Sequence, residues 1–194
     1  MPLLQSLTTY FALNASNDTS PSGLTDSVTE QPIYIPDLDV GVYFDLTEAE
    51  ANALSNTSVA TLHAGRYRRV QVDSGATAAN VKTGTIGLLS PSYAPTFNLV
   101  TSYDLGVVGC HPVVFLNAIT PGNYGFVQEL GIATVLGKSS SFTQASAVGA
   151  IAVSYTGGLV DTATAWATTF LGYLVQTGVA GGLFKILLEG PYQG

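Results

Sequence analysis

The chain has 194 residues, of which 46% are apolar and only 10% are charged, with 13 acidic side chains against six basic ones. About a quarter of the residues in a typical soluble domain are charged, so this composition predicts either a membrane protein or a protein that buries much of its surface against partners. The net charge of −7 argues against nucleic-acid binding, which depends on clustered lysine and arginine. The single cysteine, Cys110, excludes an internal disulfide and a cysteine-based metal site.

The longest apolar stretches are broken too often to predict a membrane-spanning helix. A span needs about 20 predominantly apolar residues in succession, whereas 105–119 and 163–188 contain polar residues such as His111 and Gln176. The N-terminus has no basic residue before its apolar stretch, so it does not resemble a secretory signal. We therefore expect that the protein has no membrane partner. We also expect that it is assembled in a cytoplasm.

Residues 1–44 are predicted to form an extended N-terminal arm. The segment 13–32 is rich in Ser, Thr, Asn, Asp, Gly and Pro and has no sustained apolar period, which is typical of irregular structure. The arm nevertheless carries five apolar side chains that we consider candidate interface residues: Tyr10, Phe11, Ile33, Tyr34 and Ile35. Two arrangements stay open, because the arm could lie along a partner or fold onto its own domain.

Residues 45–58 are predicted to contain one short helix and a connection. In the sequence DLTEAEANALSN at 45–56, Thr47 and Glu50 have the spacing of a capping box, in which each side chain satisfies an exposed backbone donor of the other residue. The acidic first turn also suits the positive end of the helix dipole. The helix should span two to three turns.

Residues 59–194 are predicted to form a mainly β domain, a β-barrel or β-sandwich. Short apolar runs recur about every ten residues and are separated by glycine and proline, which is typical of these folds. The predicted strands are 66–73, 83–89, 97–103, 107–117, 124–136, 148–155, 170–176 and 183–189. The stretch 162–169 could be strand or the start of a helix.

One turn and one strand are predicted in more detail. Thr120 to Asn123 has proline second and glycine third, which favours a type II turn and a hairpin between the flanking strands. In 183–189, apolar residues alternate with Lys185 and Glu189, the period of a half-buried strand.

The residues that could carry catalysis or bind a metal are few and poorly placed. Cys110 and His111 are neighbours, so on a strand they would face opposite sides and could not form a nucleophile–base pair. His63 has no acidic residue close in sequence. Asp37, Asp39 and Asp45 are the nearest approach to a carboxylate cluster, but apolar residues occupy the positions where a calcium loop needs ligands. We predict no catalytic residue, metal or cofactor, and hence no enzyme.

Arg66, Arg68 and Arg69 form the only basic cluster. On a strand the first two would share one face, with Arg69 on the other. This arrangement favours an edge or interface contact over a nucleic-acid groove, so the three arginines join the candidate interface residues.

Two segments resemble the small β-rich decoration, or cement, proteins of tailed-bacteriophage capsids. The first, TPGNYGFVQELGIATVL at 120–136, and the second, FLGYLVQTGVAGGLFKILLEGP at 170–191, share a Gly-aromatic-Val-Gln strand and later a Gly-Gly turn into a final Val/Leu strand. The polar, glycine-punctuated stretch 66–87 looks like the opening of such a domain. The resemblance covers about 60–194.

The resemblance implies a barrel-like or β-tulip module on the outside of the virion, commonly a trimer, that binds across major capsid subunits. It carries no catalytic residues. The alternative is a module of a phage tail or receptor-binding fibre, in which aromatic residues line a sugar groove; the candidates for that groove are Tyr93, Phe97, Tyr103, Tyr124 and Tyr155. Particle copy number would separate the two, since decoration proteins are abundant.

Overall fold

The computed structural model of this chain describes residues 40–41, 43–55, 62–89, 99–102, 111–164 and 170–189. The candidate arm residues Tyr10, Phe11, Ile33, Tyr34 and Ile35 lie outside these ranges, as do Cys110 and residues 56–58. The described elements are β1 (Tyr43–Leu46), α1 (Glu48–Ser55), β2 (Gly65–Val72), β3 (Ile86–Leu89), β4 (Leu99–Ser102), β5 (His111–Phe115), β6 (Tyr124–Leu136), β7 (Ile151–Tyr155), β8 (Leu159–Ala163), β9 (Phe170–Leu174) and β10 (Leu183–Leu188), with 3₁₀ turns at Ala78–Asn80 and Thr156–Gly158.

The chain is mainly β and contains a closed five-stranded barrel, as predicted from the spacing of the strands. Around the barrel the order is β2, β4, β3, β5 and β6, and β6 pairs with β2 to close the ring. All neighbours in the ring are antiparallel except β2 and β4. The interior contains aliphatic and aromatic side chains alternating along the strands, among them Val70, Val113 and Phe115.

A second sheet extends from the far half of β6 in the order β6, β10, β9, β7 and β8. Its last strand returns to the end of β6 through one bridge, Gly137 to Val160. The inner face of this sheet packs on the outer face of the barrel, where Ile86 and Val114 meet Phe184 and Ile186 in one buried cluster. The 13-residue β6 is therefore shared by both layers.

The bend in β6 lies at Gly131, which pairs with Gly65 of the barrel and with Leu188 of the second sheet. Its backbone has φ = 96°, a conformation that favours glycine. A Cβ at this position would lie 2.3 Å from the carbonyl oxygen of Ala64. The missing side chain thus allows β6 to cross β2 and change sheets.

The predicted type II turn and hairpin are confirmed. The N–H of Asn123 donates to the carbonyl of Thr120 over 2.9 Å, and Gly122 has φ = 92°. Strands β5 and β6 pair antiparallel on either side of this connection. The alternation predicted along the last strand is also present, with Phe184 and Ile186 buried and Leu187 exposed on β10.

The start of the described domain contains a strand that the sequence did not predict. Tyr43–Leu46 forms β1, which pairs antiparallel with β2. Each of its residues has a cross-strand partner on β2, and local sequence does not reveal a pairing between segments so far apart. The helix itself spans Glu48–Ser55.

A strand that the sequence did not predict, β8, lies at Leu159–Ala163 and pairs with β7. Residues 162 and 163 are therefore strand, while 165–169 lie outside the described residues. The Gly157-Gly158 punctuation is a three-residue turn between these strands, with both glycines at positive φ. The sequence did not predict this strand because a run of Thr and Ala gives no clear alternation of apolar and polar residues.

The predicted capping box is confirmed. Thr47 N–H donates to Glu50 over 2.8 Å, and the N–H of Glu50 lies 3.3 Å from the Thr47 hydroxyl oxygen. Thr47→Ala should lower the free energy of unfolding by about 1 kcal/mol, because a helix donor loses its acceptor. Thermal unfolding should show a small loss for this variant and none for Thr47→Ser, which keeps the hydroxyl. Equal losses for both would show that the hydroxyl is not the stabilising group.

Candidate interaction site

The three predicted arginines lie on β2, with the facing that alternation requires. Arg66 and Arg68 share the face of the interior residues Val70 and Val72, but stand towards one end of the strand, where side chains reach solvent. Arg69 points to the opposite face and is fully buried. The structure thus brings two of the three arginines together at an accessible surface.

Arg66 is held by Asp45 and covers an exposed ring. Its Nε and Nη2 donate to the two carboxylate oxygens of Asp45 over 2.9 and 3.1 Å. The guanidinium carbon lies 4.9 Å from the ring centroid of Tyr43, which is 56% exposed. The hydrogen bonds from Arg66 lower the pKa of Asp45, so this carboxylate stays ionised at neutral pH.

Arg68 lies near the same ring. Its guanidinium carbon is 5.7 Å from the Tyr43 centroid, and its Nε donates a hydrogen bond to Oε1 of Glu129. The Glu129 side chain is only 5% exposed. A register shift in the β2–β6 pairing places Glu129 opposite the step from Arg66 to Tyr67. We call Tyr43, Asp45, Arg66 and Arg68 the arginine patch; each guanidinium in it is neutralised by a carboxylate of the same chain.

His111 lies near Arg68 and Glu129 at this end of the barrel. Burial lowers the pKa of its imidazole, and the neighbouring Glu129 opposes that shift only in part. The side chain is therefore neutral at pH 7. The structure places His111 with an ion pair of Arg68 and Glu129 instead of a nucleophile, and its sequence neighbour Cys110 lies outside the described residues.

Arg69 has a role within the chain. Its guanidinium carbon lies 5.9 Å from the ring of Tyr124 and 5.2 Å from that of Phe126. Cation–π contacts of this kind gain strength away from water. Its contact with a partner remains a prediction, whereas Arg66 and Arg68 are already accessible.

His63 joins the helix to the barrel. Its Nδ1 lies 3.4 Å from Oε1 of Glu48, and the other carboxylate oxygen accepts the N–H of Ala64 over 2.8 Å. The Tyr67 hydroxyl donates to the carbonyl of His63 over 2.6 Å, and burial raises the pKa of this tyrosine to about 12. These contacts fasten the start of α1 to the start of β2, and they are structural in character.

A buried ion pair, which the sequence did not predict, lies at the end of the second sheet. Lys138 Nζ donates to Asp161 Oδ2 over 2.6 Å, and the two side chains are 8% and 6% exposed. The hydroxyl of Thr143 bonds both groups, and the backbone N–H groups of Thr143 and Thr162 donate to Asp161 Oδ1. Burial raises the pKa of Asp161, but these donors outweigh it and hold the pKa below its usual value.

The carboxylates and aromatic residues considered as candidates from the sequence do not come together in one site among the described residues. Asp45 binds Arg66, while Asp37 and Asp39 lie outside the described residues. In the part of the chain that is described, no group of three or more His, Cys, Asp or Glu side chains is placed to hold a metal ion. Of the aromatic candidates, Tyr124 contacts Arg69 and Tyr155 contacts Lys138, and the others are not described.

No helix among the described residues is long and apolar enough to cross a membrane.

Comparison with known proteins shows similarity to solved structures. No protein-family model and no curated protein matches the sequence. The chain is similar to a solved structure of the N base of head fiber gp8.5 in bacteriophage phi29, with 15% sequence identity and a TM-score of 0.45. The aligned region covers 63% of this chain and 92% of that chain.

Proposed function

We propose that this chain is a structural protein of a bacteriophage particle, which lies on the outside of the capsid and stabilises it by binding across major capsid subunits. The partner is taken from the resemblance of 120–136 and 170–191 to capsid decoration proteins. A binding role also fits the low charge content, because burying this surface in an interface would desolvate few charged side chains. We propose no catalytic activity.

The observation that carries the proposal is the arginine patch. Tyr43 is largely exposed, and the guanidinium carbons of Arg66 and Arg68 lie 4.9 and 5.7 Å from the centroid of its ring. Tyrosine and arginine are the residue types that dominate the energetic centres of protein interfaces. Because intrachain ion pairs already fix both arginines, the patch is ordered before binding and loses little side-chain entropy in a complex.

The electrostatics of the patch predict how the contact responds to salt. Asp45 and Glu129 neutralise the two arginines, so the patch offers no excess charge to a partner. Binding should depend on ring stacking and apolar area, which salt screens little. A contact led by long-range charge attraction would weaken steeply between low and high ionic strength.

We expect particles that carry this protein to resist heating better than particles that lack it. A protein that binds only the assembled shell stabilises it by about 2.7 kcal/mol per site when its concentration is a hundredfold above Kd. The measurement is the temperature of DNA release from particles with and without the protein, at low and high salt. Stabilisation should persist at high salt.

A pair of variants tests the patch itself. Tyr43→Ser should lower the occupancy of shells, while Tyr155→Ser, which removes another exposed ring beside a cation, should leave it unchanged. Equal heat resistance of particles with and without the protein would overturn the stabilising role. Binding in only a few copies per particle would favour the receptor-binding alternative.

A further inference from the structure

Three ionisable side chains face the same end of the barrel interior: Arg68 of β2, His111 of β5 and Glu129 of β6. Each lies two positions along its strand from a valine that is buried in that interior, so the alternation of a strand gives both residues the same face. Strands β2 and β5 both run antiparallel to β6, and this brings the beginnings of β2 and β5 beside the middle of β6. We call these three residues the barrel-end cluster.

Glu129 is shared by the two bases of the barrel-end cluster. Its carboxylate accepts hydrogen bonds from Nε and Nη2 of Arg68, the second over 3.4 Å. Its backbone carbonyl accepts a hydrogen bond from the imidazole of His111. The side chains of Glu129 and Arg68 are 5% and 21% exposed. Because water is largely excluded, a change of charge on one member acts strongly on the other two.

The imidazole of His111 has one nitrogen left to take up a proton. Its Nε2 is buried and has no hydrogen-bond partner among the residues that the structure describes. In the neutral ring this atom is only an acceptor, whereas protonation turns it into a buried donor. The charged groups that act on the ring are Glu129 and Arg68. Strands β3 and β4, which complete this side of the barrel, carry no ionisable side chain.

We propose that the barrel-end cluster is an acid switch for the arginine patch: protonation of His111 makes two cations compete for the carboxylate of Glu129, and the patch then releases its partner. The inference rests on the capsid contact proposed above. While His111 is neutral, Glu129 balances the charge of Arg68. A proton on His111 leaves the cluster with a net positive charge, and burying that charge in an interface is costly. The charge adjoins, through Arg68, the other members of the arginine patch: Tyr43, Asp45 and Arg66.

The switch responds to a fall in pH. Burial holds the pKa of His111 below its usual value of 6.5, and Glu129 opposes this shift only in part. The ring is therefore neutral at pH 7 and takes up its proton only as the pH falls below 6.5. About one pH unit below the pKa of the ring, about one molecule in ten keeps a neutral His111, so the apparent affinity for shells should fall about tenfold.

The first test uses the purified full-length protein without shells, in a pH titration followed by nitrogen NMR. The Nε resonance of Arg68 should shift with the same midpoint as the imidazole of His111, because both groups share Glu129. His111→Gln removes the titrating ring and should abolish this shift. His63→Gln is the matched change at the other of the two histidines and should preserve it. An Arg68 resonance in the wild type that does not follow the midpoint of His111 would overturn the switch, even if His111→Gln failed to fold.

The second test measures binding to shells at pH 7 and at about one pH unit below the midpoint found by NMR. The wild type and His63→Gln should lose about tenfold in affinity between the two conditions, whereas His111→Gln should bind equally at both. Equal wild-type affinity at both pH values would overturn the proposal. Absence of shell binding at pH 7 would reject the capsid contact itself, and the coupled titration of Arg68 and His111 would still decide whether the cluster is a switch.

Discussion

Replacing Lys138 by methionine should destabilise the chain by about 3–5 kcal/mol, because it leaves the carboxylate of Asp161 buried without its cation. Both side chains are at least nine-tenths buried, and the pair joins the end of β6 to β8, where a single backbone bridge closes the second sheet. For a chain of this length each kcal/mol shifts Tm by about 2–4 °C, so the melting temperature should fall by roughly 10 °C. Calorimetry or thermal circular dichroism would measure it.

Two controls identify the cause of that loss. Lys138→Met combined with Asp161→Asn removes both charges and keeps an oxygen for the two backbone donors, so it should recover part of the stability. Asp45→Asn breaks the exposed pair with Arg66 and should cost less than about 1 kcal/mol. Equal losses for Asp45→Asn and Lys138→Met would show that burial does not decide the strength of these pairs.

The pH dependence of the buried pair has a definite sign. The folded-state pKa of Asp161 lies below its usual value of 3.8, so the ionised carboxylate stabilises the fold at every pH above that value. The contribution should decline as the pH falls from 3.8 through the folded-state pKa. The stability difference between wild type and Asp161→Asn should therefore narrow in acid. A difference that widened below pH 3.8 would contradict this assignment.

Gly131→Ala should be strongly destabilising, because an added Cβ has no room at the point where β6 changes sheets. The added Cβ would lie 2.3 Å from the Ala64 carbonyl oxygen and 2.6 Å from the Cα of Gly65. Both atoms belong to backbone, so no side chain can rotate away. The positive φ adds about 1–2 kcal/mol, and the displaced backbone adds about 1–3 kcal/mol more. Denaturant unfolding should show a loss of about 2–5 kcal/mol.

Gly122→Ala is the matched control, since Gly122 has nearly the same φ but no atom within 4 Å of an added Cβ. It should lose only the conformational part, about 1–2 kcal/mol. The difference between the two variants measures the close crossing of β6 over β2. If both variants lost the same amount, the crossing would be loose and the bend would not depend on glycine.

Local chemistry was enough to predict several elements of this protein. The capping box of Thr47 and Glu50, the turn from Thr120 to Asn123 and the alternation along β10 each involve residues within a few positions of one another. Interactions over such short separations form with little help from the remaining fold. The same local patterns, repeated between glycine and proline, predicted a mainly β chain with a barrel.

Strands β1 and β8 depended on partners distant in sequence, and the tertiary structure alone decided them. Asp45 and Arg66 are 21 residues apart, and Lys138 and Asp161 are 23 residues apart. Arg68 and Glu129 are 61 residues apart and meet through a register shift. The alternation of residues predicts which face of a strand a side chain lies on, but it does not predict which strand pairs with that strand. The predicted arginine cluster was therefore readable from β2 by itself, whereas the carboxylates that neutralise it became identifiable only when β1 and β6 took their places alongside.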